Sequence, residues 1–457
     1  MTTEQLEGYT GENISELVQL AQPALRYRQR MYERYARKRR PEEVMHGEER
    51  DGRERAIVAF EYYIVNMVQG YLGGKAPMYS VRKGGRGDGY VEEYSDAIAR
   101  IQRYNDDAAT YIELLHDYLV TASATLYLYE DEDNEVRYVR LDSRQTVAVY
   151  DYSTPPNQIG AVRTWKQTGA AGAEQDVVEL ITPFRREVFR GGVSDGPEDV
   201  SQWGGAPCIS FEHPDGIAVF EPAISDIDTY EQYVGNIRSM TQYNDNAKLL
   251  VSGYRPMEDR LVYDGEEPRL NPRRIDEEQT WLEAQIHFLD EKGSMSWLLK
   301  NVDYSGTLAV QASIHDRIAM ATGVPNMTDE AFANADNASA LGYKLYALDQ
   351  YSATTDRVFK RGYLRLWEMI TARLNLKGAD FDFRDIDIRI TRNVPTDKDK
   401  SIARAVQMKS SGLYSDETCI NESQVEVDAR EELARRDAEE ASDYARIRKR
   451  AGPDGDA

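Results

Sequence analysis

Two helical patterns in the middle of the chain are separated by a segment that breaks the helical period. Apolar residues recur at three- and four-residue steps over 221–252 and again over 306–322. A continuous helix over the first stretch would be about 48 Å long at ~1.5 Å per residue. The intervening segment, 254–300, is rich in charge and contains three prolines, which interrupt regular structure. This order predicts a helical stalk that carries a small tip.

A third and longer helical pattern follows this stalk. Apolar residues keep a period near 3.6 from 341 to 374, and the sequence has no proline between 326 and 394. A helix of that length would span roughly 51 Å. The alternating residues 380–391 predict a strand after it, and the small, polar residues 326–339 before it predict an exposed loop.

The first 220 residues combine helices with strands. Helical patterns occupy 25–40, 54–71, 90–105 and 106–122. The period changes to two at 124–151, which alternates around an acidic turn as a hairpin does. Further strand-like runs occur at 161–165, 177–181, 187–190 and 208–211. With charged helices predicted at 398–411 and 426–450, the chain is expected to adopt a predominantly helical α+β fold.

The composition restricts the classes of function. Aspartate and glutamate number 79 against 56 lysines and arginines, so the net charge of −23 disfavours a protein that coats DNA. No apolar stretch approaches the ~18 residues that span a bilayer, and the start lacks the pattern of a signal peptide. We therefore expect no membrane span and no secretion. Cys208 and Cys419 form no CxxC motif and are expected to be buried thiols.

Sequence motifs for enzymes are missing. The chain has no GxxxxGK(S/T) or HExxH motif, and its five histidines are isolated. Carboxylates cluster at 131–133 and at Asp380, Asp382, Asp385 and Asp387. Nucleases and glycosidases need such groups, but the first cluster is predicted in a turn and the second on the polar face of a strand. We therefore assign no catalytic residue, no metal ligand and no cofactor.

Several short segments, taken in order, carry a family resemblance. They are NMVQGYLGGKAP at 66–77, FEPAISDIDTY at 220–230, VPNMTDEAF at 324–332 and SALGYKL at 339–345. Their order and spacing resemble the portal, or head-to-tail connector, proteins of tailed double-stranded DNA bacteriophages, in the branch typical of long-tailed siphophages. The resemblance extends from residue 63 over most of the chain. The sequence departs from the family pattern at two positions: Ala76 stands where the family often has proline, and Asn326 stands where it often has aspartate.

The resemblance implies an elongated subunit of a cyclic homo-oligomer, usually a dodecamer, at one capsid vertex. Such a ring is the channel for genome packaging and ejection and the platform for terminase and tail attachment. The implied parts are an N-terminal region and α+β wing at 1–220, a stem helix at 221–253, a clip at 254–303, a second stem helix at 304–323, a channel loop at 324–340, the long helix and a wing strand at 341–396, and a helical crown or C-terminal tail at 397–457.

The resemblance also implies partners and a location. A terminase large subunit must supply the energy for packaging, since this chain has no nucleotide-binding motif of its own. The other implied partners are the major capsid protein, a head-completion adaptor and double-stranded DNA passing through the channel. The protein is expected in the virion at the portal vertex, and in the host cytoplasm during assembly.

Three groups of residues are candidates for function. The acidic side chains of the channel loop, which would hold passing DNA weakly, are Asp329, Glu330 and Asp336. The aromatic side chains of the clip, which would contact the adaptor or pack the clip itself, are Trp281, Phe288 and Trp297. The basic N-terminal patch, which would face DNA or capsid or be a solvated helical face, consists of Arg34, Arg37, Lys38, Arg39 and Arg40.

Two other classes of protein stay open at this stage. A carboxylate-dependent enzyme would use the aspartates between 380 and 387, and it could be a monomer or a dimer. A non-viral scaffold or adaptor protein could be built on the long helix. The native mass separates the first alternative from a large ring, and terminase and capsid genes next to its own would argue against the second.

Overall fold

The computed structural model describes most of the chain. The residues described are 1–39, 57–82, 86–168, 174–245, 248–252, 261–264, 267–273, 276, 293–298, 304–326, 345–393, 398–423, 432–433 and 435–437.

Among the described residues, helices stand at both ends of the chain order and the strands lie between them. The helices are α1 (Thr3–Glu7), α2 (Ile14–Arg39), α3 (Phe60–Gly73), α4 (Asp88–Asn105), α5 (Asp107–Thr121), α6 (Ile224–Asp245), α7 (Tyr304–Thr322), α8 (Tyr346–Leu376), α9 (Lys398–Ser410) and α10 (Asp416–Glu422). The strands are β1 (Met78–Val81), β2 (Ser123–Glu130), β3 (Val136–Leu141), β4 (Thr146–Tyr150), β5 (Gln158–Thr168), β6 (Glu174–Ile181), β7 (Arg185–Arg190), β8 (Val193–Asp199), β9 (Cys208–Glu212), β10 (Lys248–Ser252), β11 (Leu261–Asp264), β12 (Glu267–Leu270), β13 (Ser294–Leu298) and β14 (Ile386–Arg389). Among these helices none combines the length and the apolar character that a membrane crossing requires.

A helical core forms around α8. This helix packs against α3, against β9 and against the pair that β14 forms with β1. Aromatic rings fill its centre, where Phe359 stacks on Phe211 at a ring-centre distance of 4.8 Å. A side chain at Gly362 would collide with that ring, because an added Cβ would lie 2.2 Å from it. The glycine thus lets the helix approach the sheet closely in spite of its cost inside a helix.

Two antiparallel sheets lie next to this core. The first has the strand order β3-β2-β9, and the second is a meander with the order β4-β5-β6-β7-β8. One face of the first sheet packs on the helical core through Leu126 and Phe211. Its other face contacts the meander in a small cluster that contains Cys208 and Ala161. The two sheets are therefore stacked, with the helical core on the outer face of one.

Helix α2 joins the two sides of the molecule. Leu17 and Leu25, in its first half, cover the meander together with Leu6 of α1. Met31 and Tyr35, in its second half, belong to the helical core. The buried guanidinium of Arg28 lies between them and donates hydrogen bonds to two carbonyl oxygens beside β4, those of Ser143 (3.3 Å) and Thr146.

Much of the predicted secondary structure is confirmed. The hairpin at 124–151 is formed by β2 and β3, while β4 joins the second sheet. The four strand-like runs correspond to β5, β6, β7 and β9, and the helices predicted at 90–105 and 106–122 are α4 and α5. Strand β8 was not predicted, because its sequence VSDGPED has neither an apolar alternation nor β-branched residues beyond its first.

The predicted 32-residue helix over 221–252 is wrong in its second part. In the structure, this segment begins with a short 3-10 turn at Glu221–Ala223, and the α-helix that follows, α6, ends at Asp245. The last five residues instead form β10, which pairs with β13. Short apolar runs fit the helical and the strand period equally well, so the run KLLVS could be counted as a helical continuation.

Other predicted boundaries also differ from the observed ones. The helix predicted at 25–40 begins at Ile14 and includes Pro23, and the helix predicted from 54 begins at Phe60. The strand predicted over 380–391 is reduced to β14, because the carboxylate of Asp382 accepts a hydrogen bond from the Arg384 N–H and starts a 3-10 turn. Most of the predicted helix 426–450 lies outside the described residues.

Candidate functional site

Helices α6 and α7 form an antiparallel pair, as predicted for the two arms of a stalk. Gln311 on α7 donates a hydrogen bond of 2.7 Å to the Tyr230 hydroxyl on α6, and Arg317 lies 2.9 Å from Asp226. Because the residue numbers rise on one helix and fall on the other, the two helices run in opposite directions. Strand β10 follows α6 and strand β13 precedes α7, and the two strands pair with each other, which continues the antiparallel arrangement of the helices.

The base of this pair is fixed to α2 by polar contacts. The Tyr27 hydroxyl donates to the carboxylate of Glu221 and accepts from the Ala218 N–H at 2.9 Å. Arg34 bridges two elements, with its guanidinium 2.8 Å from Glu61 on α3 and 2.8 Å from Asp228 on α6. Burial, together with the Glu221 carboxylate, raises the pKa of Tyr27 and keeps its proton in place.

The outer surface of α7 is unusually apolar. Ile314 and Ile318 are buried against the rest of the chain, but Leu308 is 62% and Met320 is 80% exposed. A helix with apolar residues on more than one face is normally covered on more than one face. Within the described residues, part of α7 is therefore left without a packing partner.

The predicted channel loop lies between two fixed ends. At its start, Val324 is buried, and the carbonyl oxygen of Pro325 accepts a hydrogen bond of 3.0 Å from Tyr63. At its end, Asp349 on the first turn of α8 lies 2.5 Å from Arg392 and accepts from the Tyr71 hydroxyl at 3.3 Å. Asp329, Glu330 and Asp336 themselves lie outside the described residues, so their role stays a prediction.

The structure describes little of the three aromatic candidates in the clip. Trp281 and Phe288 lie outside the described residues. Trp297 is in β13, where its backbone is paired with that of Leu249. Three residue pairs further along the two strands, the hydroxyls of Ser252 and Ser294 approach each other at 2.8 Å.

The basic N-terminal patch is not uniform. Arg34 is partly buried in the double ion pair with Glu61 and Asp228, whereas Arg37 is exposed one turn further on. Lys38 and Arg39 end the helix, and Arg40 lies outside the described residues. Sequence reasoning missed the role of Arg34 because its acceptors are 27 and 194 residues away and follow no local spacing.

The carboxylates of the two clusters accept hydrogen bonds within turns or take part in contacts with Arg82 and Tyr90. Asp387 lies 3.0 Å from Arg82, and Asp385 accepts a hydrogen bond of 2.8 Å from the Tyr90 hydroxyl. In the other cluster, Asp131 accepts backbone N–H donors of its own turn, and these hydrogen bonds hold the pKa of Asp131 below its usual value. No group of three or more potential metal ligands occurs in the part of the chain that the structure describes.

Sequence comparison assigns the chain to a class of virion components and, within it, to one family. The chain belongs to the family of phage portal proteins of the SPP1 Gp6-like type, which it matches over residues 24–444. One curated relative is the portal protein of Bacillus phage SPP1, with 22% identity over 346 residues. That alignment covers 70% of this chain and 64% of the relative, so the chain spans less than two thirds of the relative's length.

Solved structures with a similar course of the chain come from gene transfer agent particles. The neck of a native particle, computed with C12 symmetry, has a TM-score of 0.42 and 15% identity, and covers 80% of this chain and 89% of that chain. The neck of an empty particle, computed with C6 symmetry, has a TM-score of 0.43 and 15% identity, and covers 78% of this chain and 87% of that one.

Proposed function

We propose that this chain is the subunit of a portal ring at one vertex of a phage capsid. The ring would form the channel through which the genome is packaged and ejected. It would also be the platform to which terminase and the tail or its adaptor attach. The observation that carries this proposal is the family match over residues 24–444, which includes the sheets and all three helices α6, α7 and α8.

The exposed surface of the antiparallel pair supports ring formation. The pair α6 and α7 would be the stem, and neighbouring copies around the axis would cover the exposed Leu308 and Met320 on α7. Burial of such side chains contributes about 1.5–3 kcal/mol each. Repeated around a ring, contacts of this kind favour closure over the isolated subunit.

The net charge fits a channel for DNA. Acidic walls repel phosphate, so a duplex passing through the ring would meet few contacts that slow its sliding. The acidic segment 324–340 would project toward the axis as the channel loop, since Pro325 at its start and Asp349 in the helix that follows it are both held by the helical core. The energy for packaging would come from a separate terminase large subunit.

A native mass measurement combined with negative-stain imaging tests the proposed ring. We expect particles with a central channel and a mass of many copies of the 52.1 kDa chain. A twelvefold ring is expected from the family resemblance. A protein that remains monomeric or dimeric at high concentration and under assembly conditions would contradict the proposal.

The segment between α6 and α7 would be the clip that docks the head-completion adaptor. Trp281, Phe288 and Trp297 would supply the aromatic contacts, because interface energy concentrates in a few such side chains. Replacing Trp281 or Trp297 by alanine is expected to leave rings intact and to lower adaptor retention. Co-sedimentation of variant rings with adaptor measures this, and unchanged retention by both variants would refute the assignment.

The remaining parts of the proposal follow from the portal role. The major capsid protein would surround the ring, and the protein would be found in the virion and, during assembly, in the host cytoplasm. An enzymatic role is not favoured, because Asp385 and Asp387 are engaged by Tyr90 and Arg82. A non-viral scaffold is not favoured either, because the family match extends over nearly the whole chain.

A further inference from the structure

A row of exposed cations lies on the middle of α8. Arg357, Arg361 and Arg365 are spaced four residues apart and share one face of the helix, with Lys360 beside them. The row extends over about 12 Å at ~1.5 Å per residue. Arg365 is 2.5 Å from Glu368, but no carboxylate of the described chain lies within ion-pair distance of Arg357, Lys360 or Arg361.

The chain as a whole has a net charge of −23, so these cations lie on an otherwise acidic molecule. Other arginines of the same region are paired, for example Arg373 with Glu130 at 2.8 Å and Arg392 with Asp356 at 3.0 Å. The row lies on the face of α8 away from the buried side chains Phe359 and Leu366, and only Arg365, at its end, also approaches its own subunit, at Gly205.

A row of opposite charge lies on α4. Glu92, Glu93 and Asp96 are exposed on this helix, and Glu92 and Asp96 are four residues apart. No cation of the described residues lies within ion-pair distance of these three carboxylates. Arg100, the next residue along that face, is engaged by Glu135 across a groove of about 450 Å³ that Asp96 also lines.

The helices that carry the two rows pack against different edge strands of one sheet, and they also touch each other, since the hydroxyls of Tyr94 on α4 and Thr371 on α8 lie 2.7 Å apart. Helix α8 packs against β9 and helix α4 packs against β3, which are the two edge strands of the sheet β3-β2-β9. A ring needs two different complementary surfaces on each subunit, so that one copy's first surface meets the next copy's second. The two rows are separate surfaces of the subunit and are complementary in charge, as this requirement demands.

We propose that the α8 row of one subunit docks on the α4 row of the next copy of this chain. This proposal rests on the ring of the proposed function and names one of its contacts. Leu364, which is 40% exposed beside the last arginine of the row, favours a protein partner over DNA, because interfaces between proteins combine apolar contacts with arginine. The complementary charges would also orient each incoming subunit, so that its α8 row meets the α4 row of its neighbour.

Two charge-reversed variants and their mixture test the docking. The first variant is R357E/R361E and the second is E92K/D96K, each with a charge change of the same size. Either variant alone is expected to reduce the fraction of subunits in rings at least about tenfold at low salt, which corresponds to about 1.4 kcal/mol. An equimolar mixture is expected to assemble again, because each reversed row then faces its reversed partner in an alternating ring.

Native mass spectrometry with one variant tagged gives the ring fraction and its composition. The variant E132K/D133K, which changes two exposed carboxylates in the turn between β2 and β3, controls for net charge and should assemble normally. Circular dichroism must show the same helix content in all variants.

The outcomes separate this inference from the proposed function. If the unmodified chain forms no ring, the proposed function itself fails. If the unmodified chain and the variant R357E/R361E both form rings, the proposed docking is wrong. A loss of duplex DNA binding by the variant rings would then assign the α8 row to DNA. If both variants are defective and their mixture does not recover, the α4 row is not the partner of the α8 row.

Discussion

Replacing Arg34 by alanine is expected to lower the free energy of unfolding by about 3–5 kcal/mol. The guanidinium lies 2.8 Å from Glu61, whose side chain is fully buried, and 2.8 Å from Asp228. Alanine would remove the Arg34 counter-charge from the buried Glu61 carboxylate, and a buried charge that loses a charged partner is costly. Chemical denaturation at a fixed protein concentration measures the change.

Arg37 provides the matched control for this experiment. It is exposed on the same helix, and its replacement by alanine is expected to change stability by less than about 0.5 kcal/mol. The double variant R34M/E61Q should be more stable than R34M alone, because glutamine removes the buried charge. Equal stability of R34A and R37A would show that Glu61 does not depend on Arg34.

Changing Asp329 and Glu330 together to lysine is expected to leave ring assembly intact and to reduce DNA packaging at least about tenfold. A tenfold slower passage requires only about 1.4 kcal/mol of additional barrier. Each subunit would exchange two negative for two positive charges, and the ring would multiply this change around the passing duplex. Nuclease-protected DNA per capsid measures packaging, and the defect should ease at higher salt, where phosphate attraction is screened.

The variant E132K/D133K carries the same change of charge on an exposed turn outside the proposed channel loop. It is expected to package normally, so a defect in both variants would indicate a general effect of charge. Normal packaging by the Asp329 and Glu330 variant at low salt would remove this segment from the DNA path.

The sequence predicted those parts of the fold in which one period runs without interruption. The hairpin of β2 and β3 and the helices α4 and α5 follow directly from alternation and from the helical repeat. The prediction failed where a short apolar run fitted two periods, as at Lys248–Ser252, and where a side chain ended an element, as Asp382 does before β14. The first failure depends on pairing with a partner strand, and the second depends on a local hydrogen bond. Neither contact is visible in the periodicity of the sequence.

The candidate site was predictable in its order but not in its contacts. The two arms of the stalk and the acidic segment before α8 were apparent from composition and periodicity. The role of Arg34 was not, because Asp228 approaches it only after α6 has packed beside α2. The spacing of Arg357, Arg361 and Arg365 is visible in the sequence, but their exposure became apparent only with the packing of α8.

The position of the first 25 residues has a consequence for synthesis on the ribosome. Leu6, Ile14 and Leu17 emerge well before the strands on which they pack, β5, β6 and β7, which end as late as Arg190. At ~5–20 residues per second, this partner surface is complete only on the order of ten seconds later. During that interval the nascent chain presents an apolar helical segment without its sheet. Chaperone capture during translation should therefore concentrate on this amino-terminal segment until the meander has formed.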